Sequence, residues 1–263
     1  MKGIICYYSG SGNTKLACNY INRNISGTEF ELYNIVGNDI PSLDKYDIVG
    51  FATFTDFWGA PQLFHSFMNK IENVSNKNAF VFNTYGFLSG KTLKHLSGLA
   101  KLKGFNVLIG HSLHTPENYP PMRTQNRAYD DAPKPKELEA FEKFISKLDA
   151  ILDTISSNNQ SKEESIKLGF IGNILPAFSR TAAKKDFGEQ NVDESACTEC
   201  GVCAKGCPYD AIQLNPYPVF DHDKCYGCWY CYNHCHVKAI YTPKYNGIGH
   251  YSKPGKEFAA KLG

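Results

Sequence analysis

The chain has 263 residues, which is enough for one large domain or for a medium-sized domain and a small one. Its 28 basic and 26 acidic residues leave a net charge of +2, too small to indicate nucleic acid or a membrane surface as the main partner. The sequence contains no apolar run of roughly 20 residues and no signal-peptide pattern at its start, so we expect a cytoplasmic protein without a membrane span.

Five β-rich segments alternate with four helical patterns between residues 3 and 155. Strands are predicted at 3–8, 29–36, 46–54, 78–86 and 105–113, and helices at 14–25, 61–74, 91–103 and 135–155. Strands that alternate with helices of this length predict a parallel sheet covered on both faces. We therefore expect an α/β domain over residues 1–157.

The first predicted strand is followed by the sequence SGSGNT, residues 9–14. Gly10 and Gly12 would let the backbone approach a ligand closely, and the free N–H groups of the next helix would act as donors. The loop lacks the lysine of a nucleoside triphosphate site, so it is either an ordinary turn or a phosphate monoester site. The candidate phosphate ligands are Ser9, Ser11, Gly12, Asn13 and Thr14.

Two further loops are expected beside this one, because ligands of doubly wound sheets bind outside the carboxyl ends of the strands. TFTDFWGAP follows the third strand and carries Trp58, while NTYGFLSG follows the fourth and carries Tyr85 and Phe87. Three aromatic residues in converging loops favour a flat ring ligand over local packing. The candidate ring-contacting residues are Thr53, Phe54, Trp58, Gly59, Thr84, Tyr85, Gly86, Phe87 and Gly90.

Residues 1 to about 155 resemble the flavodoxin family. The first loop of that family has the pattern Ser/Thr-x-Ser/Thr-Gly-x-Thr, which residues 9–14 match. The resemblance implies a five-stranded parallel sheet of order 2-1-3-4-5 and the cofactor FMN, with its phosphate in the first loop and its ring between the other two. Flavodoxins are typically strongly acidic and this half is near neutral, so the usual docking partners of the family are not implied.

Residues 158–193 are predicted to be a linker that contains an amphipathic segment. Residues 156–165 are polar, and Ile166, Phe170, Ile174 and Phe178 then recur about one helical turn apart. We expect this apolar face to pack between two domains. A membrane-surface or partner-binding helix is the alternative.

Eight of the ten cysteines lie between residues 197 and 235. In a reducing compartment, cysteines this closely spaced are metal ligands more often than they are disulfides. They form two runs, CTECGVCAKGCP and CYGCWYCYNHC, which share the spacing C-x2-C-x2-C-x3-C and are related by an offset of 28 residues. The repeat extends to an Ala-Ile pair after each run, at residues 211–212 and 239–240.

The segment over about residues 194–243 resembles bacterial-type ferredoxins with two 4Fe–4S clusters and a small α+β fold. In such pairs of runs, three cysteines bind one cluster and the fourth binds the other. Zinc is the competing interpretation, because His234 and His236 follow the second run, but one zinc ion needs only four ligands. The predicted cluster ligands are Cys197, Cys200, Cys203 and Cys235 for the first cluster, and Cys225, Cys228, Cys231 and Cys207 for the second.

A flavin and clusters in one chain indicate electron transfer, because a cluster exchanges single electrons while a flavin holds one or two. The whole pattern resembles flavodoxin–ferredoxin fusion proteins of anaerobes. We expect an electron-transfer flavoprotein with redox proteins as partners and a homodimer as one assembly state. Two alternatives stay open: an FMN-dependent reductase with its own small-molecule or quinone-like substrate, and a redox- or iron-sensing module that has lost FMN. Residues 244–263 are expected to form a solvated tail.

Overall fold

The computed structural model describes residues 1–157 and 180–263, so the predicted apolar stripe from Ile166 to Phe178 lies outside the described residues. Strands β1–β5 pair in parallel in the order β2-β1-β3-β4-β5, which confirms the predicted fold class. The strands are Lys2–Tyr7, Glu29–Asn34, Ile48–Phe54, Lys77–Tyr85 and Phe105–His114, and helices α1–α5 are Asn13–Asn24, Gln62–Lys70, Thr92–Leu102, Pro120–Arg123 and Pro135–Ser156.

The sheet separates two apolar cores, because successive side chains of a strand point to opposite faces. Ile5 of β1 packs with α1 and α5 on one face, whereas Ile4 and Cys6 pack with α2 and α3 on the other. Cys6 and Cys18 are completely buried, and burial raises the pKa of both thiols. Both are therefore core residues, as their positions in a strand and a helix predicted.

The cysteine-rich half is built from short elements after the undescribed segment. Strand β6 (Asn191–Val192) pairs antiparallel with β9 (Ile240–Tyr241), and β7 (Ile212–Asn215) pairs antiparallel with β8 (Tyr217–Phe220). The region predicted as linker therefore contributes a helix and a strand to this half. None of the helices in either described range is long and apolar enough to cross a membrane. The elements are α6 Arg180–Phe187, β6 Asn191–Val192, α7 Val202–Lys205, β7 Ile212–Asn215, β8 Tyr217–Phe220, α8 Tyr230–His234, β9 Ile240–Tyr241 and α9 Lys256–Leu262.

The 28-residue repeat is present in the backbone as well as in the sequence. Three residues in or just after the first run have positive φ angles, and their counterparts 28 positions later do too. The amides of Ala211 and Ala239 donate to the Sγ atoms of Cys207 and Cys235, at 3.4 and 3.2 Å. The two runs therefore fold alike. The positive-φ pairs are Glu199 and Gly227, Gly201 and Trp229, and Asp210 and Lys238.

The C-terminal residues return to the first domain. Helix α9 packs against α1, and Phe258 and Leu262 are completely buried in the core shared by α1 and α5. The Nζ atom of Lys261 donates to the carbonyl oxygen of Asp131 at 2.6 Å. The expectation of a solvated tail is therefore wrong. Helix α9 has only seven residues, and this is too short for its apolar face to register as a periodic pattern.

Replacing Leu262 with alanine should lower the free energy of unfolding by about 2–5 kcal/mol, because the truncation leaves a cavity at a fully buried site. Leu102→Ala is the matched control, since Leu102 is 80% exposed and its truncation should change stability by less than about 0.5 kcal/mol. Urea denaturation followed by circular dichroism measures both variants. Equal unfolding midpoints would show that α9 does not contribute to the core.

Candidate functional site

A small polar cavity, which we call the loop cavity, lies beside the start of α1 at the carboxyl ends of β1, β3, β4 and β5. Gly12 does not line it but turns the chain into α1 with a φ of +98°. A Cβ atom at Gly12 would lie 2.9 Å from Cδ of Pro254, so a larger residue would clash there. The predicted residues that line the loop cavity are Ser9, Ser11, Asn13, Thr14, Phe54, Thr84, Tyr85 and Gly86.

Hydrogen bonds hold the loop of residues 9–14 in place. The Oγ atom of Ser9 accepts from the amide of Gly12 at 3.1 Å, which closes the turn. Thr14 Oγ1 lies 2.9 Å from Thr84 Oγ1, which ties this loop to the end of β4. The hydroxyls predicted to be phosphate donors therefore also shape the loop.

Asn13 connects the loop cavity to distant parts of the chain. Its Nδ2 atom donates to the carbonyl oxygen of Pro116 at 2.9 Å, and its Oδ1 atom accepts from the Tyr251 hydroxyl at 2.9 Å. Asn13 is one of the predicted phosphate ligands. In the structure the amide braces the loop against the β5 end and the C-terminal residues.

A larger cavity of about 350 Å³, which we call the interface cavity, lies between the first domain and the cysteine-rich half. It adjoins the loop cavity, because Gly86 and Glu117 line both. Trp58 and Phe87 line its sheet side, and Trp229 lines the opposite side. Its volume lies within the range of small-molecule sites, and its aromatic walls suit a flat ring.

Four of the predicted residues line neither cavity. One is Gly12, already described, and another is Thr53, which is completely buried in β3. Gly59 closes a turn by donating to the carbonyl oxygen of Asp56 at 3.0 Å. A Cβ atom at Gly90 would lie 2.4 Å from Cβ of Trp58, so Gly90 leaves room for the tryptophan. Gly59 and Gly90 therefore support the loop that carries Trp58.

The loop after β5 also contributes to both cavities, although it was not among the loops predicted from the sequence. Glu117 from this loop lines both cavities, and Asn118 donates through Nδ2 to the Oγ atom of Ser11 at 3.0 Å. The Oε1 atom of Glu117 accepts from the amides of Asn118 and Tyr119, at 2.9 and 3.0 Å. Burial nevertheless raises the pKa of the Glu117 carboxyl. The topology rule that located the other loops would have located this one as well.

A buried ion pair joins the two halves at the wall of the interface cavity. The guanidinium of Arg180 donates through Nη2 to Asp56 Oδ1, and the side chains are 10% and 2% exposed. The second carboxylate oxygen of Asp56 accepts from the hydroxyl of Tyr226 at 2.7 Å. Arg180 also donates through Nη1 to the carbonyl oxygen of Gly227 at 2.9 Å. Neither member of the pair stood out in the sequence.

The eight clustered cysteines divide between two small cavities. Each cavity takes three cysteines from one run and the last cysteine of the other run. All ten cysteines lie in the described ranges, and none of them forms a disulfide. The first cysteine cavity is lined by Cys197, Cys200, Cys203 and Cys235, and the second by Cys207, Cys225, Cys228 and Cys231.

The two histidines near the second run lie outside both cysteine cavities. The ring of His234 stacks on Tyr230 with its centroid 4.0 Å away. The Nδ1 atom of His236 lies 4.0 Å from the Sγ atom of Cys200. Within residues 1–157 and 180–263, no three His, Cys, Asp or Glu side chains lie close enough to hold a single metal ion.

One short stretch separates the interface cavity from the second cysteine cavity. Cys228, Trp229 and Tyr230 line both of them. Trp229 is 1% exposed and has a φ of +66°, which is rare for a bulky residue and needs support from its surroundings. That support includes a ring contact with Phe187 at 4.7 Å. Cys200, which lines the first cysteine cavity, is exposed.

Replacing Glu117 with glutamine should make the fold less sensitive to pH. A carboxyl whose folded pKa is raised contributes stability at low pH and loses it as the pH rises from 4.5 through the folded pKa. The variant should therefore gain stability relative to the wild type as the pH rises, measured by thermal unfolding from pH 4.5 to 7.

The contrasting control is Glu139→Gln on the surface of α5. A hydrogen bond from Lys143 lowers the pKa of Glu139, so this replacement should lose stability relative to the wild type as the pH rises through that lowered pKa towards 4.5, with little further change between pH 4.5 and 7. The effect should be small, because the pair is exposed. The same pH trend in both variants would contradict the burial of Glu117.

The chain is similar to known proteins in both of its halves. Residues 191–213 match the 4Fe-4S binding domain family. The uncharacterized protein MJ0298 of Methanocaldococcus jannaschii is 34% identical over 113 residues, which cover 41% of this chain and 71% of that protein. A flavodoxin from the domain Archaea aligns with 58% of this chain and 99% of its own length, at 16% identity and a TM-score of 0.41. Flavodoxin 1 of Bacillus cereus aligns with 56% and 96%, at 19% identity and a TM-score of 0.42.

The sheet order and the family match describe complementary parts of the chain. The parallel sheet of order 2-1-3-4-5 occupies the first domain, and the 4Fe-4S match begins at strand β6. The identity with the Methanocaldococcus jannaschii protein extends over more than two thirds of that protein. The chain belongs to the same family as that protein, and it is a fusion of a flavodoxin-like domain with a ferredoxin-type 4Fe–4S domain.

Proposed function

We propose that the chain is an electron-transfer flavoprotein in which FMN exchanges electrons with two 4Fe–4S clusters. The observation that carries this proposal is the shared wall formed by residues 228–230. A cluster bound by Cys228 would border directly on a flavin ring in the interface cavity. When bound, the clusters accept single electrons and the flavin one or two, which lets one-electron carriers serve a two-electron centre.

The loop cavity suits the phosphate of FMN. Ser9 and Ser11 offer hydroxyl groups, and the backbone amides at the start of α1 favour an anion. A Cβ atom at Gly10 would lie 3.6 Å from Nδ2 of Asn118, which lines the loop cavity. The glycine therefore keeps a side chain out of this space. The adjoining interface cavity would take the ring against Trp58 and Phe87.

The two cysteine cavities suit clusters because each offers four thiols and no competing histidine. The first set would be Cys197, Cys200, Cys203 and Cys235, and the second Cys207, Cys225, Cys228 and Cys231. Backbone amides already donate to the sulfurs of Cys207 and Cys235, and such bonds raise the potential of a cluster by stabilising its reduced, more negative form. Trp229 and Tyr232 are buried beside the sulfurs and keep water away.

The two proposed cluster sites differ in their solvent exposure. Cys200 of the first set is exposed, whereas Cys228 of the second set lies against the interface cavity. We therefore expect a redox protein to dock beside the first cluster, and the second cluster to connect the first cluster to the flavin. We propose the order partner protein, first cluster, second cluster, flavin.

Protein purified without oxygen should contain about eight iron atoms and one FMN per chain. Ser11→Glu should release FMN and leave the iron content unchanged, because a carboxylate in the loop cavity would repel the phosphate. Ser75→Glu is the control, since Ser75 is exposed and lines neither cavity. Flavin fluorescence and iron analysis measure both. A wild-type protein without flavin would favour the sensing alternative, and flavin retained in Ser11→Glu would show that the phosphate lies elsewhere.

Cys203→Ser and Cys231→Ser should each lose one cluster, because the two cysteines line different cavities and are equally buried at 8% exposure. Each variant should keep about half of the iron, and Cys18→Ser, in the core of the first domain, should keep all of it. Electron paramagnetic resonance of the reduced proteins would identify the remaining cluster. Loss of all iron in both variants would mean that the two sets do not act separately.

A further inference from the structure

Arg180 lines the interface cavity, and one of its N–H groups has no acceptor among the described residues. Its two terminal nitrogens donate to Asp56 and to the carbonyl oxygen of Gly227. Its Nε atom is buried and has no hydrogen-bond partner among the described residues, in a side chain that is 10% exposed. Buried donors normally have an acceptor, and a molecule in the interface cavity that Arg180 lines would supply one to this Nε–H group.

Three aromatic rings hold the guanidinium of Arg180 in position. Its Cζ atom lies 4.7 Å from the ring centroid of Phe57, 5.5 Å from Tyr226 and 5.7 Å from Tyr119. Phe57 and Tyr119 line the interface cavity together with Arg180. Rings at these distances attract a cation, and the fixed guanidinium does not have to be ordered when a ligand binds.

The charge of Arg180 acts on both sides of the cavity wall. Arg180 and Cys228 both line the interface cavity, and Nη1 of Arg180 donates to the carbonyl oxygen of Gly227, the residue before Cys228. An arginine stays protonated at any pH that the fold tolerates, so this charge is permanent. Asp56 balances it within the pair, and Glu117 lines the same cavity. A buried cation between the flavin position and Cys228 favours any centre there that gains negative charge.

We propose that Arg180 donates its Nε–H to an acceptor atom of the flavin ring in the interface cavity, and that it favours the reduced over the oxidised flavin. The inference rests on the proposed function, because it takes the flavin as the occupant. Each electron that reached the flavin would come from the cluster that Cys228 would help to hold, which would be oxidised by one electron, and no bond of the protein would form or break. Since α6 belongs to the cysteine-rich half, both halves would bind the cofactor.

The test measures FMN dissociation constants anaerobically, by adding FMN to the full chain after its flavin has been removed, with and without dithionite. The key variant is the double replacement Arg180→Gln/Asp56→Asn, which removes both charges and leaves neither partner buried alone. The ratio of the oxidised to the reduced dissociation constant should fall at least tenfold. A tenfold change corresponds to about 30 mV in a two-electron midpoint potential.

Three single variants establish the sign and the origin of the effect. Asp56→Asn should raise the same ratio, because it leaves the charge of Arg180 unbalanced. Arg23→Gln removes one positive charge from an exposed position outside both cavities and should leave the ratio unchanged. Arg180→Lys keeps the charge without the planar fork, so it should weaken binding in both redox states and change the ratio less than the double variant does.

The outcomes separate this inference from the proposed function. If the wild type binds FMN and the double variant keeps the wild-type ratio, Arg180 only holds the two halves together and the inference is overturned. The inference is also overturned if Arg23→Gln lowers the ratio as much as the double variant. If the wild type binds no FMN in either redox state, the proposed function itself fails.

Discussion

The cysteine-rich half docks against the carboxyl ends of the strands, and this contact builds the candidate site. Its centre is the ion pair of Arg180 and Asp56, with the Tyr226 hydroxyl on the second carboxylate oxygen. Removing one partner of such a buried pair would cost about 3–5 kcal/mol, because the other charge stays buried alone. Asn233 adds a bond through Nδ2 to the carbonyl oxygen of Asn118 at 2.9 Å. The interface cavity exists only because both halves form its walls.

The chain crosses between the two halves more than once, and this couples the two candidate sites. The C-terminal residues place the Tyr251 hydroxyl on Asn13, which is 238 positions away in sequence, and then bury Phe258 in the core of the first domain. The amide of Tyr251 in turn donates to Oδ1 of Asn233 in α8 at 3.1 Å. The loop that we assign to the phosphate and the helix that carries Cys231 are therefore parts of one hydrogen-bonded network.

The repeat produces two cysteine sets with the same backbone but with different surroundings. Gly201 and Trp229 occupy equivalent positions with similar positive φ angles. The glycine lies beside exposed Leu214 and leaves the first set near the solvent, whereas the tryptophan fills the domain interface and encloses the second set. Because the backbones match, the difference between an accessible and an enclosed site comes from side chains and from the contact with the first domain. The strained backbone of Trp229 accompanies this asymmetry.

The sequence predicts the parallel sheet, the succession of strands and helices along the chain and the two cysteine runs, because these depend on local periodicity and fixed spacing. The sequence also predicts that the SGSGNT loop and Trp58 lie close together, because the carboxyl ends of parallel strands meet at one edge of the sheet. The loop that carries Glu117 follows β5 and could have been located by the same rule. The tertiary structure alone revealed Arg180 and Asp56, because single charged residues have no pattern until the fold brings them together. It also decided that α9 is buried and that Cys228 faces the interface cavity, because both depend on how the two halves pack.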